Sequence, residues 1–376
     1  MVSKDMPRLI VNTSNLRSGG ALQVASTFIE GLRSFSQNQY FVFLPLVLYK
    51  SIGIRDFPDN FTFYLVDNPS IIPFFKKVSK QLSSLEEKIK PNCVFSLFGP
   101  TYWKPKSYHV MGFANGLYVY DNLPYIRNLP LIDKVLLNLK KNYHKLLLKK
   151  NADLYVVQTN DMKKEFSKFI NVAHNQISVI CGSYHPIFSK KINNIGLLPT
   201  KRDDDFWFVT ISAYYPHKNL DIINEIAGEL SKYITSTKVK FILTLPQNLF
   251  IKKFKYNTDL IMNVGPVDIN DCPYLYSKSD ALFLPTLVET FTASYPEAMI
   301  MKKPILTSDY PFSRSVCKDA ALYFDPYDIN DVMSKIFEIT SNKDLYNSLI
   351  NKGSSCVKRM PSFMDMTKKY LDVCDL

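Results

Sequence analysis

Short apolar or β-branched runs alternate with longer stretches whose hydrophobic positions recur every three to four residues. The runs predict strands at 8–13, 40–48, 61–66, 93–98, 108–113, 154–158 and 177–181. A second series follows at 206–212, 239–245, 281–285, 304–307 and 321–324. Helical periodicity is clearest at 21–34, 73–90, 131–150, 220–233 and 328–339. Strand and helix in turn imply an α/β fold, parallel sheets with helices on both faces. The order is interrupted at Ser189–Asp205, a polar stretch with Pro199 and the run Lys201-Arg202-Asp203-Asp204-Asp205. A linker at 189–205 is expected there, between domains at 1–188 and 206–355. Two such domains place a cleft between the carboxyl ends of their sheets, where ligands of these folds bind.

Length agrees with two domains, since 376 residues exceed one ordinary core. Hydrophobic residues make up 46% and charged residues 21%, which excludes a largely disordered chain. Charge adds an asymmetry. Residues 1–200 hold 25 Lys+Arg and 12 Asp+Glu, a net of +13, whereas the remainder stands at −1. The basic half is expected to meet something anionic. The longest apolar run, Tyr40 to Tyr49, is too short to span a bilayer and contains Pro45, so it reads as a buried strand. The opening MVSKDMPRLI has neither the apolar core nor the cleavage site of a signal peptide. Six cysteines are scattered without a Cys-x-x-Cys pair, and five histidines lack metal-ligand spacing. A cytoplasmic protein without a metal is expected.

Chemistry concentrates in Ala281–Met301. A strand ends at Pro285, a polar loop follows, and a helix is expected from Ser294-Tyr295-Pro296, with proline at the first helical position. The free N–H groups there suit a phosphate. Glu289 on the loop and Glu297 in the first turn flank it, and carboxylates accept hydrogen bonds from vicinal hydroxyls. A ligand with both phosphate and sugar fits. Read alone, the same residues fit a surface acid and a partner of the helix dipole.

Glu289, seven residues, then Glu297-Ala298-Met299 resembles the Glu-x7-Glu motif of glycosyltransferase family 4, in the group 1 glycosyl transferases. The resemblance extends through Lys303–Ser308, Asp319–Pro326, Gly265-Pro266-Val267 with Leu275-Tyr276, and Pro216-His217-Lys218-Asn219-Leu220. In the first half it covers Ser18-Gly19-Gly20-Ala21, Ala152-Asp153, Gln158-Thr159 and Ile177–Ile180. It implies a GT-B fold, two Rossmann-like domains facing across a cleft, with the last stretch, 361–376, crossing back to the first. It also implies a hexosyltransferase, retaining and metal-independent, that takes a UDP- or GDP-linked donor. Glu297 would hold the ribose, Glu289 the transferred sugar, and Lys218 the leaving diphosphate. Thr292, Ala293 and Ser294 would contact phosphate and sugar, and Val267 would face the nucleobase through its backbone. Gly19 and Gly20 would let the diphosphate approach closely.

Two positions depart from the family pattern. Ala213 stands where an arginine is usual, and Phe113-Ala114-Asn115-Gly116 replaces the usual histidine, leaving Asn115 as the candidate for the donor sugar. The run Asp203-Asp204-Asp205 contains an Asp-x-Asp but reads as solvated linker. His109 reads as structural.

In Leu131–Lys150 the residues Ile132, Val135, Leu136, Leu139, Tyr143, Leu146 and Leu147 share one face, opposite Lys134, Lys141, Lys145 and Lys149. The expectation is an apolar face packed on the core, with those four lysines facing an anionic membrane surface. Pro73–Lys90, with Phe74, Phe75, Lys76, Lys77 and Lys80, is a second candidate. The expected acceptor is a lipid-linked or membrane-proximal glycan, as in bacterial surface-polysaccharide synthesis, on the inner face of the cytoplasmic membrane. No nucleic-acid motif is recognisable. A sugar-nucleotide epimerase of the same architecture and a non-catalytic basic binding module remain the alternatives.

Overall fold

The computed structural model describes residues 6–17, 19–69, 75–233, 237–254 and 259–376. By its contacts the chain divides into two units. One holds residues up to 121, 128–181 and 362–376; the other holds 122–127 and 182–361.

The first domain is a seven-stranded parallel sheet. Its strands are β1 (Arg8–Asn12), β2 (Gln39–Leu44), β3 (Phe61–Leu65), β4 (Cys93–Ser96), β5 (Tyr108–Gly112), β6 (Leu154–Val157) and β7 (Ile177–Val179), in the order β3-β2-β1-β4-β5-β6-β7. Both faces are covered, which is why its strands read as unbroken apolar runs. Leu9 and Val11 enter one buried cluster while Ile10, between them, enters another on the opposite face. The run at 40–49 is not one strand. Pro45 has no N–H to continue the ladder, and the chain turns into a short helix, Leu46–Ser51.

The C-terminal helix Phe363–Asp372 belongs to this domain. Met366, Tyr370 and Leu371 bury themselves in its core beside Phe28 of the helix Gly20–Leu32. Gly31 permits that approach: a Cβ there would stand 2.5 Å from Thr367 Oγ1.

The second domain is a six-stranded parallel sheet. Its strands are β8 (Asp205–Thr210), β9 (Lys238–Leu243), β10 (Ile261–Asn263), β11 (Ala281–Leu284), β12 (Ile305–Ser308) and β13 (Ala321–Phe324), in the order β10-β9-β8-β11-β12-β13. Phe208 points into one core cluster and Trp207 with Val209 into the other. The three-residue β10 carries too little periodicity to read from sequence. Leu198 of the polar stretch before β8 packs on this domain, as do Ile187 and Phe188 just ahead of that stretch. Asp205 is no solvated linker residue: it opens β8, is buried, and accepts a hydrogen bond from Arg202 N–H at 3.2 Å.

Candidate donor-binding site

In each sheet the chain runs outward in both directions from its first strand, so the crossovers reverse beside it. The reversal lies between β1 and β4 in the first domain and between β8 and β11 in the second. Loops leaving the carboxyl ends there diverge and leave room for a ligand.

In the second domain the loop after β8 carries Lys218 and the loop after β11 carries Glu289. They meet. Lys218 Nζ donates to Glu289 Oε2, with both side chains largely buried. The backbone locks the loops together: Leu287 N–H donates to His217 O at 2.7 Å, and Thr286 Oγ1 donates to the same carbonyl at 3.2 Å. Glu289 Oε1 also accepts from Thr290 N–H at 3.2 Å. Beside Lys218, the His217 ring stacks on Tyr215, centroids 5.6 Å apart. Burial and the Lys218 charge hold the His217 imidazole below its ordinary range, so it is neutral near pH 7.

After Glu289 the chain passes Thr292 and Ala293 into the helix Ser294–Ile300. Proline is its third residue, not its first, and Ala293 is the N-cap without a side-chain cap. Thr292 Oγ1 instead accepts from Ser294 N–H at 3.4 Å. Tyr295 pins this helix to the sheet. Its fully buried hydroxyl donates to Thr307 Oγ1 at 2.8 Å, and Thr307 donates onward to Leu284 O at 2.9 Å.

Glu297, one turn further, is buried and accepts from the Tyr276 hydroxyl at 3.2 Å. Burial pushes its carboxyl up to about 7, against the Tyr276 hydrogen bond. Sequence reasoning passed over that partner, although Leu275-Tyr276 lay within the quoted motif. Val267 follows β10 and packs on the cluster containing Leu275 and Ala298. Gly265 turns the chain there with φ 79°, a conformation that suits glycine.

The remaining candidates lie on the first domain. Gly19 caps the helix Gly20–Leu32 at φ 72°, and a Cβ on Gly20 would meet no atom within 4 Å. Ser18 lies outside the described residues. Asn115 follows β5 and caps the short helix Gly116–Val119, its Oδ1 accepting from Leu117 N–H at 3.1 Å. His109 is structural: buried, bonded to Ser96 Oγ at 2.8 Å, and pushed down to about 4 by burial.

The lysine face of Leu131–Asn151 is inverted relative to expectation. Lys134, Lys141 and Lys145 are half-buried on the side that packs on the domain; of the four, only Lys149 is exposed. Lys141 pairs with Asp121, and Lys141 and Lys145 lie 5.3 and 5.7 Å from the Phe169 ring centroid. The apolar face is the one turned outward. Of the second basic stretch, Phe74 and the side chain of Phe75 lie outside the described residues. Among the described residues no helix is long and apolar enough to cross a membrane.

Known proteins resemble this chain at three levels. The family model for glycosyl transferases group 1 matches residues 199–355. The O-antigen chain mannosyltransferase RfbU of Salmonella typhimurium is 27% identical over 220 residues, which is 57% of this chain; the match spans 59% of that protein's length. In structure, WaaG, a glycosyltransferase involved in lipopolysaccharide biosynthesis, superposes with a TM-score of 0.72 at 12% identity, covering 97% of this chain and 99% of that one. Anabaena Alr3699/HepE in complex with UDP gives 0.71 at 11% identity over 98% and 100%. The second domain is thus a glycosyl transferases group 1 domain, in a chain of two Rossmann-like domains with the GT-B fold.

Proposed function

We propose that this protein is a retaining family 4 glycosyltransferase. It moves a sugar from a UDP- or GDP-linked donor to a lipid-linked or membrane-proximal glycan of a bacterial surface polysaccharide. The observation that carries this reading is the Lys218–Glu289 pair at the switch point of the group 1 domain, with Glu297 buried in the helix that follows. The O-antigen relative and the lipopolysaccharide enzyme support the acceptor class, and the UDP-bound neighbour supports the donor.

Breaking the bond between sugar and diphosphate develops one further negative charge on a leaving group that is already anionic. A buried ammonium aimed at that charge lowers the barrier, because a low-dielectric site strengthens the attraction. Lys218 supplies that ammonium. A donor diphosphate competes with Glu289 for Lys218, and the released carboxylate accepts hydrogen bonds from the transferred sugar's hydroxyls. Thr292, Ala293 and Ser294 offer N–H and hydroxyl groups to phosphate and sugar. Val267 faces the base, and Glu297 accepts from the ribose. On the first domain, Gly19 and Gly20 are assigned to the diphosphate and Asn115 to the donor sugar. The acceptor attacks on the face the diphosphate leaves, and the leaving phosphate takes its proton, so no protein base is assigned. No metal or other cofactor is required. The enzyme works in the cytoplasm, against the inner face of the membrane that carries its acceptor.

The test is thermal unfolding with a panel of UDP- and GDP-sugars, with and without EDTA. Protection by one donor series, unchanged by EDTA, is expected. No protection by any donor, or by UDP and GDP themselves, overturns the reading.

A further inference from the structure

The helix Leu131–Asn151 is amphipathic with its apolar face pointing the wrong way for a core. Leu131, Ile132, Leu136, Leu139 and Leu146 are 79, 70, 58, 64 and 68% exposed. At 100° per residue they fall within one stripe, along a helix about 31 Å long. The opposite side is held to the domain by specific contacts. Leu148 is fully buried there, and His144 hydrogen-bonds the hydroxyls of Tyr102 at 3.0 Å and Tyr118 at 2.9 Å. Lys141 is paired with Asp121. Turning the helix to bury its leucines would break each of these.

Charge identifies what covers the stripe. Its exposed lysines, Lys140, Lys149 and Lys150, border it or lie at its end, against one exposed acid, Asp133. An apolar stripe rimmed by lysines matches the boundary between acyl chains and anionic headgroups. A second copy of this face would instead set each rim of lysines against the other.

We propose that the outward stripe of Leu131–Asn151 inserts into the surface of an anionic bilayer, with Lys140, Lys149 and Lys150 on the headgroups. Of the lysines expected to face the membrane, Lys141 and Lys145 orient the helix on the domain. This rests on the membrane-surface placement proposed above and names the surface responsible.

The test is co-sedimentation of the full chain with phosphatidylcholine vesicles containing phosphatidylglycerol, and with phosphatidylcholine alone. Binding to the anionic vesicles only is expected, with a loss of tenfold or more in Leu136→Glu/Leu139→Glu. Both positions are exposed, so the variant unfolds at the wild-type temperature. Lys140→Glu/Lys149→Glu is expected to weaken binding at low salt more than at high salt. If the wild type binds and the leucine variant binds equally, the stripe is the wrong surface while the membrane placement stands. If the wild type binds no vesicle, both fall. Equally, a wild-type dimer that the leucine variant dissociates, with no vesicle binding, assigns the stripe to a second copy and overturns the proposal. Nucleotide protection in the same samples reads the sugar-transfer proposal separately.

Discussion

Lys218 and Glu289, 71 positions apart in sequence, form an ion pair where β8 and β11 lie side by side. The pair is mostly shielded from water, so neither charge is cheap to leave alone. Two strand ends of one sheet thus hold, at a fixed separation, an ammonium suited to phosphate and a carboxylate suited to hydroxyls.

Replacing Lys218 by Met removes the charge that the proposed function assigns to the leaving diphosphate. A fall in kcat/KM of roughly 10²- to 10³-fold is expected. Glu289→Gln is expected to lower it as well. The double variant should lose less than the product of the two, because the side chains share one interaction. Transfer or slow donor hydrolysis reads the cycle; strictly multiplicative losses would show that the pair does not act as a unit.

Glu297 gives a pH signature. Its folded carboxyl titrates at about 7 against 4.5 for an ordinary glutamate, because burial disfavours the charge. The folded state therefore binds the proton more tightly than the unfolded state. The resulting stability is complete below about 4.5 and is lost as pH rises to about 7. Glu297→Gln should unfold later than wild type at pH 8, by about 3 kcal/mol, with the advantage shrinking toward pH 5. Denaturant titrations at both values check this. A constant difference would assign the effect to packing.

Gly20 separates fold from ligand. A Cβ there meets no atom within 4 Å, so Gly20→Val should change stability by less than about 1 kcal/mol. If the diphosphate approaches this turn, the donor KM should rise roughly tenfold, about 1.4 kcal/mol of binding. An unchanged KM would remove Gly20 from the donor site.

Gly31 tests the docking of the C-terminal helix. Gly31→Val forces branched atoms against Thr367 and Phe363, and a loss of about 1–3 kcal/mol is expected. Hydrogen exchange should locate the loosening in 363–372 and in the Gly20–Leu32 helix. Protection unchanged at both would mean that the contact adapts without cost.

Much of the architecture was legible because parallel strands buried on both faces write themselves as apolar runs. Leu9–Val11 and Phe208 with its neighbours show the rule. It misread 40–48, where Pro45 broke a continuous apolar run that composition alone could not divide. Glu289 and Glu297 were found by their spacing, but not the Tyr276 hydroxyl under Glu297, which depends on a contact 21 positions away. Periodicity separated the two faces of Leu131–Asn151 correctly and could not say which one points inward. That depended on His144 and Lys141 finding partners on distant segments.

The central claim is that the second domain binds a nucleoside diphosphate through Lys218. Isothermal titration of the full chain with UDP and with GDP, beside Lys218→Met, tests it most directly. The account predicts one-to-one binding of at least one nucleotide, with Kd between about 1 μM and 1 mM. It also predicts at least tenfold weaker binding in the variant, with its fold intact. Wild-type protein that takes up neither nucleotide, or a variant that binds as tightly as wild type, would contradict it.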